Sequence, residues 1–154
     1  IGTPEGSLFE GSPAFNLGVF NVGTVTSGAD RNDQNIIDVI AGKTLPMGLG
    51  RLHLGVYSGN KDLLVDANGK EDNTGFMVGW DMGIIRKKEH DGGEYHAWVF
   101  AADYASGDNV LGGGGLGLYY FFTKDVSLLF GPVWFNDKGI NGYTKWTMQL
   151  DINL

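Results

Sequence analysis

From Trp146 to the last residue the chain alternates without a break: Trp146, Met148, Leu150, Ile152 and Leu154 are apolar, and Thr147, Gln149, Asp151 and Asn153 are polar. A period of two sends successive side chains to opposite faces of an extended strand, so this segment has one apolar and one polar face. The same pattern runs through Phe76, Val78, Trp80, Met82 and Ile84, opposed by Gly79, Asp81 and Gly83 together with Met77 and Ile85. Leu52, Leu54 and Val56 oppose Arg51, His53, Gly55 and Tyr57. Ile37, Val39 and Ala41 oppose Asp38, Gly42 and Thr44, with Ile36 and Ile40 as exceptions.

Eight such segments follow one another: about Phe15 to Thr24, Asn35 to Leu45, Gly50 to Gly59, Gly75 to Arg86, Glu94 to Tyr104, Gly113 to Phe122, Val126 to Asn136 and Thr144 to Leu154. Strands of soluble proteins usually run about 5 to 6 residues, whereas a tilted strand crossing a bilayer needs roughly 9 to 11. These segments are of the second length. The expected fold is all-β, an antiparallel up-and-down transmembrane β-barrel of about eight strands.

The connections alternate in length. Ser27 to Gln34, Asn60 to Thr74, Ser106 to Gly112 and Asp137 to Tyr143 are the longer, polar ones; Leu45-Pro46-Met47-Gly48 and Thr123-Lys124-Asp125 are tight, and Lys87 to Gly93 fits least well. Long loops at one end and short turns at the other are what a barrel spanning a membrane requires. Aromatic residues gather near strand ends, with Tyr119, Tyr120, Phe121 and Phe122 before a short turn and Trp80, Trp98, Trp134 and Trp146 on strands. Trp80, Trp98, Tyr119, Tyr120, Trp134 and Trp146 are the expected girdle, where amphipathic rings meet headgroups and hydrocarbon together.

Composition narrows the classes further. The 154 residues suit one domain over residues 1–154, and 26 scattered glycines with four prolines fit neither collagen nor a disordered chain. A net charge of −7 has the wrong sign for nucleic acid as a partner. The lack of cysteine excludes disulfides and thiolate metal sites, and no apolar run approaches the roughly 20 residues of a membrane-spanning helix. The chain opens at Ile1 without Met, which leaves both a whole small barrel and the C-terminal portion of a larger one open.

Long amphipathic strands, alternating loop lengths and the terminal strand Trp146 to Leu154 make the chain resemble the bacterial outer-membrane β-barrel class, including small eight-stranded barrels and the C-terminal parts of porin-like channels. The resemblance covers nearly the whole chain and implies a place in the bacterial outer membrane, in contact with its lipid. Two features depart from it. The class usually closes on an aromatic residue, commonly Phe, which is thought to be read by the assembly machinery, whereas this chain closes on Leu154. Pro132 cannot donate to a ladder and is expected to mark a bulge or a strand end.

In such a barrel the second face lines the interior, and Asp38, Arg51, His53, Asp81, Gln149 and Asp151 form a hydrogen-bonded lumen network across neighbouring strands. On a soluble sheet the same face would simply meet water, since periodicity alone does not tell inside from outside.

Chemical motifs give little. Gly112, Gly114 and Gly117 satisfy G-x-G-x-x-G, but an aromatic strand follows where a dinucleotide site needs a helix. Asp66 to Asp72 gathers oxygen ligands without the spacing of a calcium loop and includes Lys70, so it reads as a hairpin tip. His53, His90 and His96 form no compact ligand pair, and no metal or cofactor is called for. His96 would serve a lipid-modifying hydrolase only if it faced outward beside Trp98 and Phe100, and no serine is placed to join it.

Three functions remain: a porin-like channel or transporter for small solutes, a plugged structural or surface-interaction barrel acting through its loops, and a soluble calyx with Trp80, Trp98 and Trp146 inside around an apolar ligand. An eight-stranded barrel is just wide enough for its own side chains. The small residues Gly55, Gly79, Gly83, Gly115 and Gly117 favour a wider bore and the channel. Oligomeric state is not legible.

Overall fold

A computed structural model describes residues 1–88 and 92–153. His90, the middle of the Lys87 to Gly93 connection and the terminal Leu154 lie outside the described residues. Nine strands form one antiparallel sheet in chain order: β1 (Gly2–Thr3), β2 (Ala14–Phe20), β3 (Ile36–Thr44), β4 (Arg51–Ser58), β5 (Thr74–Lys88), β6 (Glu94–Ala105), β7 (Gly113–Phe121), β8 (Val126–Phe135) and β9 (Lys145–Ile152). Each of the eight expected segments contains a strand, the first only to Phe20 rather than Thr24, and the two-residue β1 is an addition too short to show as alternation. The helical content among the described residues is the single turn Lys138–Asn141 and a 3-10 turn at Pro46–Gly48, and no helix is long and apolar enough to cross a membrane.

The sheet is open. Among the described residues each strand pairs only with its chain neighbours, and no ladder joins β9 to β1 or β2, so the expected closed eight-stranded barrel is corrected to an open nine-stranded meander. It curls strongly. Strands stand about 4.8 Å apart, which would put β3 and β8 far from one another on a flat sheet, yet Ile40 of β3 and Val133 of β8 line the same cleft of about 440 Å3.

Register keeps one face apolar from strand to strand. Val19 lies opposite Ile37, Val39 opposite Val56, Leu54 opposite Val78, Trp80 opposite Ala102, Phe100 opposite Leu118, and Phe130 opposite Met148. This is the convex face, and its side chains are in the open: Val56 is 59% exposed, Trp146 68% and Met148 72%. Each such side chain forgoes roughly 1.5 to 3 kcal/mol of burial in water. The concave face mixes glycines and polar residues with apolar side chains such as Ile40, Met77, Val99, Leu129 and Val133, and among the described residues a cluster of fully buried side chains, Ile36, Tyr57 and Leu64, sits on this side near the long loops.

Turn chemistry explains the short end. Between β3 and β4 the backbone reverses through Met47 (φ 59°), Gly48 (φ 72°) and Gly50 (φ 82°), closed by Leu45 N–H donating to Gly50 O at 2.8 Å. Between β7 and β8 the Thr123 hydroxyl accepts from the amides of Asp125 and Val126 at 3.2 and 3.1 Å. Residues 4–13, between β1 and β2, lie at this same end, where Glu5 accepts from the Thr44 hydroxyl at 2.8 Å. Pro132 is neither a strand end nor a break in β8: it pairs with Trp146 on the β9 side, while toward β7 the paired positions stop at Gly115–Val133 and resume at Leu118–Phe130.

Candidate functional site: the concave face

Among the described residues eleven strand glycines face the concave side by register, and over Gly18, Gly42, Gly79 and Gly83 lie polar side chains from adjacent strands. A Cβ on Gly42 would meet the guanidinium of Arg51 (Nε and Nη2) and Nδ1 of His53, all at 3.1 Å. Arg51 and His53 thus lie side by side on β4, over β3. His53 Nε2 contacts Asp81 Oδ1 of β5 at 3.0 Å. Arg51 is the register partner of Asp81, yet its guanidinium is drawn over Gly42 and makes no ion pair with that carboxylate. Its Nε is buried without a hydrogen-bond partner.

The expected six-residue network therefore divides. Only Arg51, His53 and Asp81 come together. Asp38 sits at the other end of β3, 6% exposed, over Gly18, with Oδ1 lacking a partner. Gln149 and Asp151 lie on the edge strand β9, four strands beyond β5, where Gln149 Nε2 donates to Asp151 Oδ1 at 2.6 Å. Between the two groups, on the same face, stands Asp103 of β6, opposite Gly79 and Gly115. Its place could have been read from the alternation in Glu94 to Tyr104.

His96 is also on this side. The alternation of β5 is broken at Ile85, a β-branched residue with φ 57°, a conformation uncommon for such a side chain. Beyond it the His96 ring lies where a Cβ on Gly83 would be. His96 therefore does not stand beside Trp98 and Phe100 on the convex face.

The expected girdle residues fall on two faces. Tyr119 is opposite Val99 and Leu129 on the concave side, so it belongs to no belt with Tyr120. Trp80, Trp98 and Tyr120 lie on the convex face toward the short turns: Trp98 packs on Tyr120 at 4.6 Å, and the Trp80 indole donates to Leu49 O of the β3–β4 turn at 2.8 Å. Toward the long loops the convex face carries Phe76, Tyr104, Trp134 and Trp146; Phe130 stacks on Trp146 at 5.0 Å, and the Trp134 ring covers Gly114. Trp80, Trp98 and Trp146 are thus outside the curl, opposite to what an apolar calyx requires.

The long loops are tied to each other by side chains. Asn109 Nδ2 donates to the Tyr57 hydroxyl and to Asp72 O; Asn136 Nδ2 donates to Gly107 O at 2.7 Å; Ala67 N donates to Asp137 Oδ2 at 3.1 Å. Arg31 grips Asp33 through two bonds, 2.7 and 3.2 Å, and reaches Asp62 at 3.2 Å, which holds the Asp33 carboxyl below its usual range. In the Asp66 to Asp72 tip, Asp66 Oδ1 accepts from the amides of Asn68 and Lys70, both at 2.9 Å, so this carboxylate closes the turn. Sequence reading marked these loops as turns and missed their stitching.

Among known protein families, characterised proteins and solved structures, none matches this chain.

Proposed function

We propose that the chain is wall of a bacterial outer-membrane β-barrel whose concave face lines a water-filled lumen for small solutes. The observation that carries the reading is the convex face. It is apolar across eight strands, and among the described residues the charged side chain it carries before the kink at Ile85, Lys43, sits at the short-turn end, bound to Glu5 at 3.0 Å. A contiguous exposed patch of this kind far exceeds what a soluble monomer carries, whereas hydrocarbon covers it without cost. Aromatic side chains at both margins of that face fit two headgroup belts.

The glycine-rich concave face favours a bore over a plug. A Cβ at Gly79 or Gly115 would meet nothing nearer than 3.4 Å, so these positions leave room, and closing the open sheet with further strands would widen the bore beyond the eight-stranded limit. The loop layer supports the second reading, a surface-interaction barrel, because its loops are ordered by side-chain bonds.

Refolding with and without detergent, followed by unboiled gel electrophoresis and planar-bilayer conductance, tests the proposal. A heat-modifiable β-rich species formed only in amphiphile, with stable open steps, is expected. A monodisperse β-protein in plain buffer would overturn the membrane reading; folded protein without conductance would overturn the channel.

A further inference from the structure

The short-turn half of the concave face concentrates positive charge that the chain leaves uncompensated. Arg51, Arg86 and His96 line one cleft of about 460 Å3 with Thr44, Asp81 and Val99. Among the described residues neither the Arg51 nor the Arg86 guanidinium makes an ion pair or a hydrogen bond. The carboxylate closest in register, Asp81, is engaged by His53 at 3.0 Å. Glu5, at the same end, is engaged by Lys43 and Thr44, and Asp151, on the far edge strand, accepts from Gln149. Two guanidinium groups and one carboxylate thus line the cleft, in a chain whose net charge is −7.

A buried N–H without a partner carries a desolvation penalty that nothing else in the cleft offsets. A guanidinium presents its N–H groups in a planar fork that matches two oxygens of a carboxylate or phosphate. Gly42 and Gly83 open the floor on which Arg51 and His96 lie. The geometry points to a site for a small oxyanion, a phosphate or carboxylate group, held between Arg51 and Arg86 with His96 beside it. It faces the lumen side, away from the apolar face, so the oxyanion is that of a dissolved solute. In naming the solute class this rests on the channel reading; the anion site itself does not.

The test uses the whole chain, folded in a detergent with a sugar headgroup or, if it folds there instead, in plain buffer, with circular dichroism confirming β structure in each sample. Titration with inorganic phosphate is followed by calorimetry and by the histidine ring resonances. Saturable binding is expected, with Arg51→Gln and Arg86→Gln each weakening it at least tenfold and Asp81→Asn tightening it several-fold, a gain that misfolding cannot imitate. Phosphate retained when phosphatidylglycerol is added supports a dissolved anion, whereas displacement assigns the oxyanion to a lipid headgroup and overturns the solute assignment. Folded protein that binds no phosphate, or binds it equally well after both arginine substitutions, overturns the site. Folding in buffer alone would end the membrane reading while leaving this titration decisive.

Discussion

Asn109 donates to the Tyr57 hydroxyl at 2.9 Å across 52 positions of sequence, and that hydroxyl donates onward to Ser106 O at 2.7 Å. One phenol therefore joins the end of β4 to the β6–β7 loop. Tyr57→Phe keeps the ring but leaves Ser106 O without this donor in a buried place, and a loss of roughly 1 to 3 kcal/mol is expected. Denaturant unfolding of the refolded protein measures it; an unchanged midpoint would mean that water replaces the bond.

Neighbouring residues of β9 separate lipid from lumen. Met148→Arg places a charge on the convex face and should cost roughly 2 to 4 kcal/mol in a bilayer, whereas Thr147→Arg, on the concave face, should cost close to nothing. Unfolding free energies in lipid vesicles give the comparison. Equal costs would contradict a lipid-facing convex side.

Gly131 lies so close to Leu116 O that a Cβ would overlap the carbonyl. The neighbour is backbone and cannot rotate aside, so Gly131→Ala should separate β7 from β8 locally and destabilise the protein by roughly 1 to 3 kcal/mol. Amide exchange should accelerate at Leu116 to Leu118 before anywhere on β4 or β5.

Glu5 makes the short end sensitive to acid. Hydrogen bonds from Lys43, then from the Thr44 side chain and amide, lower its pKa from 4.5 to about 2. A carboxylate with a depressed folded-state pKa contributes stability that is present above 4.5 and is lost as the pH falls through about 2. The Thr44 amide resonance should therefore hold its position through pH 4 and move near pH 2, and Glu5→Gln should abolish the transition. Movement centred near 4.5 would show that these bonds do not form in solution.

Alternation made the eight long strands legible because each has one face that avoids water, and the period of two survives any loop length. It assigns a face but not a height along the strand. Alternation therefore joins Asp38, Arg51 and Gln149 on one face although they stand at different heights and on strands far apart in the sheet. The left-handed Ile85 was illegible for a related reason: one twisted residue reverses the faces beyond it, and no glycine or asparagine marks the place. Tyr119 and Tyr120 were grouped by composition where parity alone separates them. The asparagine stitches between loops depend on which strands stand side by side, and that is known only once the meander is built.

The asparagine and aspartate bonds across the long loops have a consequence for recognition. Binding usually costs the freedom of the segments that must be ordered, and here the restraint is already in place before any partner arrives. A molecule touching this end would meet a fixed relief rather than mobile strands of chain. It would discriminate by shape, at fast and nearly unchanging rates of capture, instead of moulding the surface to itself.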